Sequence, residues 1–572
     1  MLLDVFITML TLSLAVVALL ALVGLLTWSV SLVSAEMSTV EAFLSVSTSV
    51  LPNIPLRTAV LLAIVLVVTS IIPLFFRKNI TNKDGVPIPP GPPRRYASLP
   101  KYPERILHKW AQQYGGLYSV FMGNQLTAVI SDQVIARDLL VNNGAITSSR
   151  RNYFLKDEII LRQRSITGTP YNDKWPACRR QHRRLGMTLL TPAAVESYSH
   201  NLDYEAHIMV RSLWAAGKMG KVPVDVAHDS GRYPFNNMFR LSFGTRTETN
   251  KDPLIERALT LANEFMLLSG PWTNAVDFVK PLQWLPTQKR ARAHKLHDQL
   301  IETYGALILR VQARMDAGED VPDCLVKTLI ETREAEGLDW EDLCMMSAAF
   351  TLGGVHSTSG ILQWFLALLP SYPEIQARVH EEMDRVVGRE HYPTTADEKD
   401  MPYMRAVIKE VARLHSSFWM ATPHYSTADL VYKGMFLPKG TSLILNIYSL
   451  HHDDKRYPDS FTFNPDRYLG DDLSSYESAN LADPRQRDHW AFGSGRRICP
   501  GIHVADREMW LAMSRLMWSF EINAVPGHPI SLEEYEGANG RTPMPFKVQL
   551  VPRHDRVRMM LEEKDEVSVF TI

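Results

Sequence analysis

The sequence predicts a mainly α-helical protein with small β-sheets, anchored in a membrane, and three observations carry that prediction. Beyond residue 96, apolar residues recur at helical spacing and Pro-rich turns interrupt them. Only short pieces, around 118–122 and 127–130, read as strands. Ahead of that body lie two uncharged apolar runs, each of membrane-spanning length. No internal repeat is evident.

With 572 residues, 46% of them hydrophobic, the chain can fill a sizeable core. Lys+Arg 61 against Asp+Glu 62 leaves a formal charge of −1, so the balance does not point to nucleic acid. Four cysteines are too few for a disulfide framework and fit a body folded in a reducing compartment.

In chain order, residues 1–35 form the first hydrophobic segment, uncharged from Val5 to Ala35. At about 1.5 Å per residue such a run crosses a hydrocarbon core of about 30 Å. It is expected to be a transmembrane helix; the alternative is an apolar helix lying in the membrane. Val33-Ser34-Ala35 could pass for a signal-peptidase site, but the start lacks a basic n-region. Residues 36–57 are a short loop, and 58–76 form a second span that stops at Arg77-Lys78. These cations, with Lys83, Arg94 and Arg95, place the body that follows in the cytoplasm by the positive-inside rule. Residues 77–95 are a basic, proline-rich hinge, because Val-Pro-Ile-Pro-Pro-Gly-Pro-Pro at 86–93 forms neither helix nor ladder. The sequon Asn79-Ile80-Thr81 would stay unmodified on that side of the membrane.

The stretch that carries chemistry is 492–501, Phe-Gly-Ser-Gly-Arg-Arg-Ile-Cys-Pro-Gly. Gly493 and Gly495 before Cys499, and Pro500-Gly501 after it, are the composition of a tight exposed loop. A helical apolar pattern follows (Val504, Met509, Leu511, Ala512, Leu516, Phe520), so the cysteine precedes a helix N-terminus, which stabilises a thiolate. Arg497 adds a fork suited to a carboxylate. Thiolate and carboxylate partner together point to haem. Cys178, Cys324 and Cys344 have no paired ligand spacing, so zinc and iron–sulfur readings fail.

The spacing Phe492, Gly495, Arg497, Cys499, Gly501 resembles the haem-binding loop of the cytochrome P-450 family. The resemblance implies haem b, with Cys499 as axial iron ligand and the other four residues around the cofactor. Trp175 and Arg179 resemble the family's WxxxR element, which binds a haem propionate. The adjoining cluster of Arg179, Arg180, His182, Arg183 and Arg184 is either a solvated face or a docking patch for an acidic electron donor. Residues 342–366 resemble the central helix on the oxygen side of the haem. There the register puts His356 in the place of the family's acid, Ser357 in that of its first threonine, and Thr358 next. These three are the expected catalytic, proton-carrying residues, since imidazole shuttles protons near neutrality and a serine hydroxyl donates like threonine's. Glu410 and Arg413 match the ExxR element, and Arg467 resembles the third member of a structural Glu-Arg-Arg network. His424 resembles a residue that reaches a propionate.

Four motifs in order imply one P-450-fold domain over 96–552, with 553–572 as a tail of no evident role. They further imply a monooxygenase that takes dioxygen and a hydrophobic small molecule. Electrons would come from NADPH through a separate NADPH-cytochrome reductase, since no flavin or nicotinamide fingerprint is present. The pattern resembles fungal microsomal members, which implies the endoplasmic reticulum membrane and secondary metabolism. The altered central helix leaves open a peroxide-driven enzyme or an isomerase or dehydratase; a haem-binding protein without oxygenase activity is a third reading. The expected pocket residues are Phe350, Leu352, Phe418, Trp419 and Met420, with loops 148–160 and 264–275.

Overall fold

The computed structural model describes residues 78–164, 166–170, 184–247, 253–270, 272, 274–537 and 540–562. The expected spans at 1–35 and 58–76, the loop between them, Cys178, and Trp175 and Arg179 with most of the basic cluster lie outside the described residues. Among the described residues no helix is long and apolar enough to cross a membrane.

After the hinge, β1 (Arg95–Tyr96) leads into α1 (Pro103–Tyr114), which starts on a proline at its first turn and buries Leu107 and Trp110. The expected strands appear as β2 (Leu117–Met122) and β3 (Gln125–Ile130), an antiparallel pair. The turn between them requires a glycine: Gly123 has φ 55, and a Cβ there would collide with the Phe278 carbonyl. Long helices then take over: α2 (Ser199–Ala216), a short β4 (Val224–Asp225), α3 (Ala227–Phe243), α4 (Gln288–Asp316) and α5 (Trp340–Leu368).

Helix α5 is the centre of the molecule and packs on both α3 and α4. Its start is set by a capping box, Asp339 accepting from the Asp342 N–H at 2.8 Å and Asp342 from the Asp339 N–H at 3.1 Å. Apolar on nearly all faces, it is buried along most of its length, as such a helix must be. Gly354 lets α3 come close, since a Cβ there would sit 2.5 Å from the Met238 sulfur.

Beyond it come α6 (Pro402–Leu414), β5 (His424–Tyr425), β6 (Ser442–Leu445), α7 (Ile502–Ser519), β7 (Phe520–Ala524) and β8 (Lys547–Pro552). One sheet has the order β1-β2-β3-β6-β5, with β3 parallel to β6 and Thr127 opposite Ser442. A second places β8 between β4 and β7, antiparallel to both. Helix α7 runs beside α2 and α5 and so connects the cysteine loop to the centre. The tail has a structural role after all up to residue 562. Its helix Asp555–Glu562 buries Val557 and Leu561, and Arg553 pairs with Asp384 at 2.8 Å.

Candidate active site

The loop before α7 folds as its composition dictates. Gly495 adopts φ 63, and a Cβ there would overlap the Leu140 carbonyl oxygen, so a side chain is excluded twice over. The Cys499 N–H donates to the Phe492 carbonyl at 2.9 Å, which closes the loop. Gly501 stands at the N-cap of α7 with no side-chain cap, so the first-turn N–H groups of that helix lie beside Cys499. The cysteine itself is half-buried and lines a cavity of 360 Å³.

The walls of that cavity come from segments far apart in sequence. Leu190, Phe350, Ile361, Phe418, Leu445 and Val504 make them apolar. From α5, Gly353, Gly354, Ser357 and Thr358 face it; His356 is not among the lining residues. His356 lies instead against Gly540, its Nε2 without a hydrogen-bond partner among the described residues, and burial lowers its pKa. The Ser357 hydroxyl donates back to the Gly353 carbonyl at 3.1 Å, and Thr358 Oγ1 hydrogen-bonds Glu508 at 3.0 Å. Of the expected pocket residues, Phe350 and Phe418 line the cavity, whereas Trp419 and Met420 pack into a separate core cluster beneath β2 and β3.

Two arginines and a histidine lie together at the cavity wall, since Arg497 and His424 are bonded to residues 147–148, next to Arg150. Arg497 donates to the carbonyls of Ser148 (2.8 Å), Ile166 (3.3 Å) and Thr169 (2.9 Å). The Nδ1 of His424 donates to the Thr147 carbonyl at 3.1 Å, and Arg150 to the carbonyls of Thr422 (2.6 Å) and Pro423 (3.0 Å).

Beneath the loop lies the network expected from the ExxR element. Arg413 and Glu410, both fully buried, form a fork with contacts of 2.6 and 2.7 Å. Arg467 reaches Glu410 at 3.4 Å, and the Asn464 N–H donates to the same carboxylate at 2.9 Å. Arg413 also donates to the carbonyls of His451 (2.6 Å) and Ser460 (2.8 Å), and His451 Nε2 accepts the Trp490 N–H at 2.7 Å. The network therefore supports the chain two residues before Phe492.

Over residues 94–550 the sequence matches the family described as Cytochrome P450. The chain belongs to the cytochrome P-450 family. It is similar to cytochrome P-450 monooxygenase virE of Hypocrea virens, 28% identical across 87% of this chain and 92% of that one. It is also similar to cytochrome P-450 monooxygenase atE of Aspergillus terreus, 30% identical across 77% and 82%. In fold it resembles a zebrafish cytochrome P-450 solved with progesterone, with a TM-score of 0.66 at 22% identity, covering 79% of this chain and all of that one.

As a P-450 monooxygenase, the protein carries haem ligated by a cysteine thiolate, and its cavity fits that group. The thiol of Cys499 is at the wall, the Gly353 Cβ direction opens on empty space, the surroundings are apolar, and Arg497, Arg150 and His424 cluster together as two propionates require. Cys499 would hold the iron; Arg497, His424 and Arg150 would face the propionates. Bound there, the thiolate-ligated haem supplies reductive activation of dioxygen and insertion of one of its atoms into substrate. The chain itself lowers the cost of the thiolate with the start of α7, holds the floor rigid through Gly495 and the Arg413 network, and excludes water with apolar walls.

Arg150 lines the cavity from within the expected loop 148–160, although its Ser-Ser-Arg-Arg run has no periodic signal to single it out. Sequence reasoning missed Glu508, another lining residue. Glu508 was detectable: it falls on the same face of α7 as Val504, Leu511 and Ala512, all buried, where a carboxylate is out of place.

Proposed function

We propose that this P-450 monooxygenase oxygenates a sizeable apolar small molecule of fungal secondary metabolism. It would take electrons from NADPH through a separate reductase while anchored in the endoplasmic reticulum membrane with its body in the cytoplasm. The observation that carries this reading is the cavity, where Cys499 opens onto walls built from Leu190, Phe350, Ile361 and Phe418. Similarity to fungal proteins named as monooxygenases supports the class, and the apolar runs ending at Arg77-Lys78 support the anchor and its orientation. Ser357 and Thr358 would handle protons on the central helix.

One observation favours a second reading, peroxide-driven turnover or an isomerase or dehydratase: the Ser357 hydroxyl is tied to its own helix and His356 is off the cavity wall. Microsomes bearing the protein separate the two. Product formed from a cell extract with NADPH and reductase, and not with a hydroperoxide alone, is the expected result; the reverse would establish the second reading, and turnover under neither condition a haem-binding role. Protease added to the same sealed microsomes should digest the body and leave Asn79 without a glycan. A protected body would overturn the orientation.

A further inference from the structure

Near the end of the chain a small hairpin pairs Tyr535–Glu536 with Thr542–Pro543, Tyr535 opposite Pro543. Two strands of two residues each hold no fixed position by themselves. What holds this hairpin is a carboxylate from the start of the body. Glu104, in the first turn of α1 and 1% exposed, accepts from Arg541 Nη2 at 2.6 Å and from the Tyr535 hydroxyl at 2.7 Å, so each carboxylate oxygen holds one residue of the hairpin. The Arg541 guanidinium lies over the rings of Tyr535 and Trp419, its carbon 4.4 and 5.5 Å from their centroids. Beside this pair the Tyr102 ring meets that of Tyr535 edge-on at 4.6 Å, and Arg105 donates to the Glu533 carbonyl at 2.8 Å.

The backbone of the same arginine joins two segments of the cavity wall. Its N–H donates to the Ser417 carbonyl at 3.2 Å, and its carbonyl accepts from Trp364 Nε1 of α5 at 3.3 Å. Ser417 closes the triangle, since its hydroxyl donates to the Ser357 carbonyl at 2.8 Å. Gly360 makes room for it: a Cβ there would stand 3.1 Å from the Arg541 carbonyl oxygen and 3.3 Å from Ser417 Oγ. Glycine is unfavourable inside a helix, and this close approach is the reason for one here. Ser357 and Ile361 of α5 line the cavity, as do Ser417 and Phe418, whereas Glu104 and Arg541 do not.

We propose that the Glu104–Arg541 pair is a specificity-determining device, which from outside the cavity sets the spacing between α5 and the segment 416–418 and so selects the size and shape of the molecule that fits between them. Neither side chain touches that molecule; both are positioning residues that act through the Arg541 backbone. Apolar residues of like volume match a buried ion pair in stability, so the contribution of this one is a fixed geometry. The proposal concerns the cavity wall alone and stands apart from the electron source and the substrate class proposed above.

The test uses the haem-loaded full-length protein and two iron-binding probes: imidazole, which occupies little of the cavity, and phenylimidazole, whose second ring must also meet the walls. Glu104→Gln keeps the size of the side chain and leaves Arg541 buried without its counter-charge. Its affinity for imidazole should stay at the wild-type value while that for phenylimidazole falls about ten-fold, the size expected for a residue coupled to a site without touching it. In the same variant the Arg541 amide, bonded to Ser417, should exchange its hydrogen faster. The double variant Glu104→Leu with Arg541→Met separates positioning from mere support. Its melting temperature should return towards the wild type, and its affinity for phenylimidazole should stay low. Glu205→Gln is the control, since it breaks the pair that the equally buried Glu205 makes with Arg246, and neither of these lines the cavity. It should lower the melting temperature and leave the ratio of the two affinities unchanged. The proposal is overturned if Glu104→Gln and the double variant both keep the wild-type ratio, if the double variant recovers ratio and melting temperature together, or if Glu205→Gln shifts the ratio as far. Should Glu104→Gln fail to retain haem, the ratio in the double variant decides by the same criterion. Binding of the two probes needs neither substrate nor reductase, so the result stands whichever molecule the enzyme oxidises.

Discussion

The two sides of the haem cavity are built on opposite principles. On the thiolate side, one run of ten residues, 492–501, contains both the ligand and the glycines that shape its loop. On the oxygen side, the groups that face the cavity come from α5 (Gly353, Ser357, Thr358) and α7 (Glu508), and Asn237 of α3 supports them from behind. Where one short segment must place one atom, backbone conformation does the work and substitution is narrowly limited. Where a polar group is shared among packed helices, any helix that reaches the spot can supply it. On this side the carboxyl that lines the cavity comes from α7, and none comes from α5.

That contrast predicts its largest effect at Cys499. Cys499→Ser should abolish the red-shifted Soret band of the reduced, carbon-monoxide-bound protein together with all turnover, because among the described residues no second thiol lines the cavity. A surviving band would mean that the thiolate side is not written in this loop. The next effect lies beneath the same loop. Arg413→Ala leaves Glu410 buried with Arg467 at 3.4 Å as its remaining ion-pair partner, and removes the donors to His451 and Ser460. Breaking a buried pair in this way costs about 3–5 kcal/mol, a large share of the roughly 5–15 kcal/mol that holds a domain folded. Haem retention and melting temperature should both fall; an unchanged melting curve would show that the network does not support the loop.

The same contrast explains what was legible in the sequence. Cys499, Gly495 and the start of α7 could be read because their chemistry depends on neighbours along the chain, and the helix expected from residue 502 runs Ile502–Ser519. The Glu410–Arg413 pair was legible because three residues on a helix bring two side chains together. His356 was assigned by register alone, and register says nothing about which side of α5 faces the void; the helix turns that residue toward Gly540. Trp419 and Met420 went astray for the same reason, since their burial is under the sheet and not at the cavity. Arg150 and the link from Glu508 to Thr358 depend on contacts between residues more than a hundred positions apart, which no local pattern encodes.

The smallest effect lies with two buried histidines that adjoin the Arg413 network. His415, at the end of α6, stacks on Trp364 of the central helix with ring centroids 3.9 Å apart, while His452, whose Nδ1 donates to the Tyr448 carbonyl at 2.8 Å, adjoins His451 under the cysteine loop. Burial first, and then neighbouring cations, lower both His415 and His452 to about 3. In the unfolded chain each takes up a proton near pH 6.5, so the folded state binds fewer protons below that value and loses stability as pH falls. Each histidine contributes about 1.4 kcal/mol per pH unit to that loss over the window from about 6.5 down towards its folded value of about 3. Glu508 has the opposite sign: raised to about 8, it makes the fold lose stability as pH rises from about 4.5 to 8. Urea unfolding followed at several pH values should therefore show steep acid lability in the wild type. His415→Gln and His452→Gln should each lower its slope by about 1.4 kcal/mol per pH unit. A change in slope for one variant and not for the other would show that the histidine without effect takes up protons in the folded state, and equal slopes for both variants and the wild type would remove these histidines from the account of acid stability.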